Sequence, residues 1–137
     1  MTGTGYSGTP LVTKLGLKDG MRVWFDGMPD SVRSQIYAGG ITLSEEDVPT
    51  QGIHAAHIFV TDRKALAEKL EALRKLIDPA GFVWVSWPKK SSKVDTDIIE
   101  DTIRDIILPS TDLVDVKVCA VDEVWSGLKL MIRKDRR

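Results

Sequence analysis

"FVWVSWPKKSSKVDTD", Phe82 to Asp97, decides how the chain is read. Its first six residues are apolar on both sides of the alternation, interrupted only by Ser86. A half-exposed strand alternates apolar with polar residues, whereas one that is apolar throughout is covered on both faces, as parallel strands are beneath helices. At Trp87 the character changes. Pro88 holds Trp87 extended, then Lys89, Lys90, Ser91, Ser92 and Lys93 lead to Asp95 and Asp97. A core strand that runs directly into such a loop has reached the edge of its sheet.

The surrounding segments supply the rest of that sheet. Upstream, "MRVWF" (Met21 to Phe25) and "AHIFV" (Ala56 to Val60) read as strands, with a further short strand expected at Ile41 to Leu43. Thr61 or Asp62 caps the clearest helix, whose Leu66, Leu70, Leu73 and Ile77 recur at helical spacing. "TPLVTKLG" reads as a short helix entered at Thr9 and Pro10, and Asp30 caps another that carries Val32 and Ile36. Downstream, Asp95 or Thr96 caps an amphipathic helix with Ile99, Ile103 and Ile106 inward. "VDVKVCAV" and "GLKLMIRK" alternate, so Val114, Val116, Val118 and Ala120 are expected on one face, and Leu128, Leu130 and Ile132 on the other strand's inner face. The link around Trp125 to Gly127 makes these two an antiparallel hairpin.

This order predicts one α/β domain over residues 9–137 after a flexible start at 1–8, built as a three-layer, Rossmann-like open sheet, mostly parallel with a C-terminal antiparallel hairpin. In such a sheet ligands bind beyond the carboxyl ends of the parallel strands. Those ends bring Asp26, then Thr61 and Asp62, then Ser86, Trp87, Lys89 and Lys90 to one rim. Trp125 and Ser126 join it if the first hairpin strand runs parallel to the others. Two indoles there would stack on a flat ligand or anchor a partner, and the lysine loop, running into a helix start, would favour an anion. Covering the end of the core is the commoner fate of such tryptophans, and an acidic cap already supplies charge through Asp95 and Asp97.

Composition narrows the classes. Nineteen Lys and Arg against twenty Asp and Glu leave a net charge of −1, so no global field draws the chain to nucleic acid. Cys119 is the only cysteine, which excludes an intrachain disulfide or cysteine metal cluster, and it reads as a buried, inert thiol. His54 and His57 lack Cys or carboxylate partners at ligand spacing and fall before or at the start of their strand, at the opposite edge; no metal is expected. No apolar run is long enough to span a bilayer, the start lacks a signal-peptide pattern, and a cytoplasmic location is expected. After the first strand, "FDGMPDS" offers one glycine before Met28, Pro29 and Asp30, which disfavours a pyrophosphate.

Three stretches, "GYSGTPLVTKLGLKDG", "GFVWVSWPKK" and "VKVCAVDEVWSGLKL", resemble a bacterial family of domains of unknown function, number 3052. That likeness implies an architecture and no chemistry. "LRKLIDPAGFVWVSWP" and the final hairpin are similar to the later half of class I S-adenosylmethionine (SAM)-dependent methyltransferases. This second resemblance implies SAM as cofactor, with Asp26 and Asp62 near it. The chain departs from it by lacking a glycine-rich loop after Asp26 and by leaving little room for a second strand ending in the acidic residue that holds the ribose. It looks like a shortened relative.

The expectation is a binding or regulatory module without a cofactor. Its rim of Trp87, Lys89, Lys90, Trp125 and Ser126 would take a small anionic or aromatic ligand or a protein partner. A small SAM-dependent transferase is one alternative. The other is a structural protein that self-associates through an outer strand or exposed tryptophans.

Overall fold

The computed structural model describes residues 9–108 and 111–137. The segment expected to be flexible, 1–8, lies outside the described residues. After a one-turn helix α1 (Leu11–Lys14) come β1 (Arg22–Asp26), α2 (Asp30–Tyr37), β2 (Ser44–Glu45), β3 (Ile53–Phe59) and α3 (Arg63–Leu76). β4 (Ile77–Pro88), α4 (Glu100–Ile107), β5 (Leu113–Ala120) and β6 (Trp125–Ile132) complete the order.

Six strands form one sheet in the order β2-β1-β3-β4-β6-β5. β1 is parallel to β2 and β3, β3 is parallel to β4, and β6 is antiparallel to both β4 and β5. Two cores lie on opposite faces. α3 and α4 deliver Leu66, Leu70, Leu73, Ile103 and Ile107 onto Ala56, Ile58, Val83, Val85 and Leu128. α1 and α2 deliver Leu11, Leu15, Val32 and Ile36 onto Val23, Ala55, Phe82 and Trp84. The absence of alternation in "FVWVSW" therefore has the expected cause: Val83, Val85 and Trp87 face one core, Phe82 and Trp84 the other.

Local chemistry sets the element ends. Asp62 caps α3 by accepting from the Ala65 amide at 2.8 Å. Pro29, rather than Asp30, takes the N-cap position of α2, and Asp30 sits in its first turn. The indole of Trp84, 1% exposed, donates to the Leu15 carbonyl at 2.9 Å. That bond satisfies a buried donor and ties α1 to the central strand.

Four expectations need correcting. The strand expected at Ile41–Leu43 instead covers Ser44–Glu45, because Thr42 is held by Asp19, whose carboxylate accepts from the Thr42 amide at 2.8 Å. β3 begins at Ile53, three residues before Ala56. β5 does not present Val114, Val116, Val118 and Ala120 as an inner face: a bulge between Asp115 and Lys117 breaks the alternation, and Val116 and Val118 are about half exposed. α4 starts at Glu100, so Ile98 is buried while Ile99, expected inward, is 62% exposed. Among the described residues no helix is long and apolar enough to cross a membrane.

Replacing Trp84 by Phe removes buried volume and strands the Leu15 carbonyl, so urea denaturation should show a loss of about 2–4 kcal/mol. Trp125→Phe, at a half-buried ring, should cost less than about 1.5 kcal/mol. Equal costs would contradict the central placement of Trp84.

Candidate functional site

β4 and β5 are both antiparallel to β6, so β5 runs with the parallel strands and the hairpin turn falls at their carboxyl edge. Pro88 lies opposite Trp125 and Trp87 opposite Ser126. The Lys89 amide donates to the Val124 carbonyl at 2.7 Å. Asp122 shapes the turn by accepting from the amides of Val124 at 2.9 Å and Trp125 at 2.8 Å. The Ser-Trp-Pro-Lys and Trp-Ser-Gly segments thus share one edge.

They do not form a tryptophan pair. Trp87 is 7% exposed and belongs to the core under α3 and α4. Trp125 packs on the other core, its ring edge-on to Phe59 at 5.1 Å. Adjacent strand positions point to opposite faces, which separates them. Trp87 therefore closes the end of a core, while Trp125 remains partly exposed at the rim.

The remaining candidates divide in the same way. Asp26 ends β1 and pairs with Lys69 of α3. The Thr61 carbonyl accepts from the Thr96 hydroxyl at 2.7 Å, and the Asp97 carboxylate accepts from the Arg63 amide at 2.7 Å. With Asp62 this puts two carboxylates on the amino end of α3, which opposes an external anion there. In the lysine loop the Ser92 hydroxyl donates to the Lys89 carbonyl at 2.7 Å, so it is already engaged. Lys89 and Lys90 are half-buried and exposed, respectively. Ser86 is fully buried and lies inside the sheet, away from solvent.

Ser86 has an unexpected partner. Its hydroxyl lies 2.7 Å from His57 Nε2, and the His57 ring stacks on Phe59 at 4.4 Å. Because β3 starts early, His57 sits in mid-strand and fully covered, and is not at the opposite edge. Burial pushes its pKa down to about 3, and Nδ1 has no hydrogen-bond partner among the described residues. A polar residue within each of two neighbouring apolar strands was the signal for this pair. Among the described residues no group of His, Cys, Asp and Glu could hold a metal ion. Cys119 is half-buried, and burial raises its pKa, consistent with an unreactive thiol.

A second unforeseen cluster lies where β2 ends. β2 exists, and it ends in Glu45, beside Val23 of β1. Arg33 reaches Glu45 from α2 with both Nε, 3.3 Å from Oε2, and Nη2, 3.0 Å from Oε1, and also covers the Phe25 ring. The Tyr37 hydroxyl donates to Oε2 at 2.6 Å. Burial raises the Glu45 pKa, but the bonds from Arg33 and Tyr37 outweigh it and hold the carboxyl below its usual range. Burial and the bond to Glu45 push Tyr37 up to about 12. Oε1 carries a single bond, so it can still accept a donor. Strand order reverses between β1 and β3, the topological switch point, and Gly27 turns the chain there with φ +69°. A Cβ at Gly27 would stand 3.3 Å from the Phe59 carbonyl oxygen.

No protein-family model and no curated protein sequence matches the chain, so family 3052 gains no support. Solved structures do match. A SAM-dependent methyltransferase from Aquifex aeolicus aligns over 89% of this chain and 87% of its own, at 15% identity and a TM-score of 0.57. One from Thiobacillus denitrificans, bound to S-adenosyl-L-homocysteine, aligns over 90% and 89% at 13% identity and 0.52. LepI in complex with SAM aligns over 91% of this chain and 47% of its own at 9% identity and 0.56. At these identities the likeness establishes the fold: a Rossmann-like α/β sheet of the methyltransferase type.

A histidine whose folded pKa lies below its unfolded value of about 6.5 binds its proton more readily when unfolded, so its contribution is lost as pH falls. From pH 6.5 to 4.5, His57 should remove roughly 2 kcal/mol from the urea-derived stability. His57→Gln should flatten that slope, and by NMR the parent ring should not titrate above about pH 4.5. A ring titrating near its ordinary value would contradict its burial.

Proposed function

We propose that the protein binds an adenosyl ligand, SAM or its demethylated product, at the edge where β1 and β2 end, and that it is a small methyltransferase-type protein. One observation carries this reading: in a sheet of methyltransferase type, β2 ends in an acidic residue, Glu45, beside Val23 of β1, the strand that runs on to Asp26 and the turn at Gly27. The methyltransferase likeness implies an acidic residue in that place for the ribose hydroxyls. Glu45 Oε1 has acceptor capacity for one of them.

The chemistry of the edge supports this ligand over a nucleotide. Asp26 ends β1, Asp30 opens α2 and Glu45 ends β2, where phosphate would be repelled and a sulfonium cation would not. When bound, SAM supplies an electrophilic methyl group. The chain's own contribution would be orientation: Glu45 would hold the ribose end, and Thr61 and Trp125 would face the acceptor. Lys89, Lys90 and Ser126 would line that acceptor side.

A second reading, a binding module with no adenosyl ligand, is favoured by a specific feature. Met28, 8% exposed, follows Gly27 where the methyltransferase pattern has further glycines, and Pro29 removes an amide from the same loop.

Thermal unfolding with SAM or S-adenosylhomocysteine at millimolar concentration separates the two. Saturation at about a hundredfold over Kd adds about 2.7 kcal/mol, a rise in Tm on the order of 5–10 °C for a chain of this size. Glu45→Gln should weaken binding about tenfold or more. No shift with either compound would leave the second reading standing alone.

A further inference from the structure

A cleft of about 670 Å³ lies far from the carboxyl edge, between the last turns of α3 and the start of β5, where β6 ends. Its size is that of a small-ligand site, which typically spans about 300–1,000 Å³. Ala67, Leu70 and Ile106 give it an apolar floor. Around that floor stand Arg74, Lys75, Arg133 and Arg136, against only Glu71 and Asp112. Four cations face two carboxylates in the lining, and Asp135 pairs with Arg133 Nε at 3.4 Å from beside it, which leaves a surplus of +1 in a chain whose net charge is −1. Positive charge is therefore concentrated here.

The cations are also arranged. Asp112 takes Arg74 in a two-point bond, with Nη2 at 2.6 Å from Oδ2, which fixes the guanidinium plane and leaves N–H donors unused. Arg136 Nε lies 3.9 Å from the same carboxylate, so one Asp is shared by two guanidinium groups. The Arg133 amide donates to the Asp112 carbonyl at 2.8 Å, which anchors that residue against the cleft. Lys75 has no ion-pair partner among the described residues. A guanidinium held in plane, with its remaining N–H donors beside Arg133, Arg136 and Lys75, is suited to an oxyanion.

We infer that this cleft is a binding site for a phosphomonoester dianion that carries an apolar group: Arg74, Arg133 and Arg136 hold the phosphate, and Leu70 and Ile106 receive the apolar part. It is independent of the adenosyl reading, from which it is separated by the length of the sheet. Inorganic phosphate shares the headgroup chemistry and lacks the apolar part, so comparing the two identifies which the cleft is built for.

Calorimetric titration at pH 8 and constant ionic strength, with phenyl phosphate, inorganic phosphate and phenol as probes, tests it. Phenyl phosphate should bind about tenfold or more tighter than inorganic phosphate, and phenol should not bind measurably. Arg133→Ala and Arg136→Ala, both at exposed positions, should each weaken phenyl phosphate about tenfold, with the circular dichroism spectrum unchanged. A Lys89→Ala/Lys90→Ala double variant at the other edge should bind like the parent. Equal affinity for the two phosphates would overturn the apolar part of the site. Absence of binding, binding unaffected by the arginine changes, or binding lost with Lys89 and Lys90 would overturn the site itself.

Discussion

The structure depends on β4 being buried on both faces and paired on both edges. Phe82 and Trp84 project into one core, Val83, Val85 and Trp87 into the other, while β3 and β6 hydrogen-bond its two sides. Each large apolar side chain fully withdrawn from water contributes roughly 1.5–3 kcal/mol, so five in succession concentrate a large part of the stabilisation in one strand. That concentration fixes register: a one-residue slip would exchange the two cores' side chains. With register fixed, Pro88 must meet Trp125, and the lysine loop must meet the hairpin turn.

Two edges of the sheet follow from this spine and differ in character. The carboxyl edge carries Asp26, Asp30 and Glu45 around β1 and β2 and three lysines in the loop after β4. Its free acidic capacity is held in check by Arg33 and Tyr37 on Glu45, and by Lys69 on Asp26. The opposite end, where α3 finishes and β5 begins, collects Arg74, Lys75, Arg133 and Arg136 over an apolar floor. A near-neutral chain thus keeps charges of opposite sign at separated places, which global composition cannot reveal.

What the sequence discloses depends on how local the cause is. α3 and β4 are legible because periodicity and unbroken apolar runs report burial directly, and the hairpin is legible from its alternation and turn. β2 is obscured because two polar residues carry no period; it pairs with β1 through the backbone. β5 misleads because a single bulge at Val116 reverses the faces after it. At the site, edge positions could be named from strand ends, but side-chain direction could not, so Trp87 and Trp125 emerge on opposite faces. His57 with Ser86, and Glu45 with Arg33 and Tyr37, escape a linear reading because each pair is created by neighbouring strands or by a helix folding back.

Native-state amide hydrogen exchange tests the central role of β4 most directly. The amides of Val83 to Trp87 and their partners from Ser126 to Leu130 should exchange last and with one common free energy, that of global unfolding. Exchange of the β6 amides orders of magnitude faster than those of β4 would mean that the hairpin opens on its own, and that the shared edge is not built into the fold.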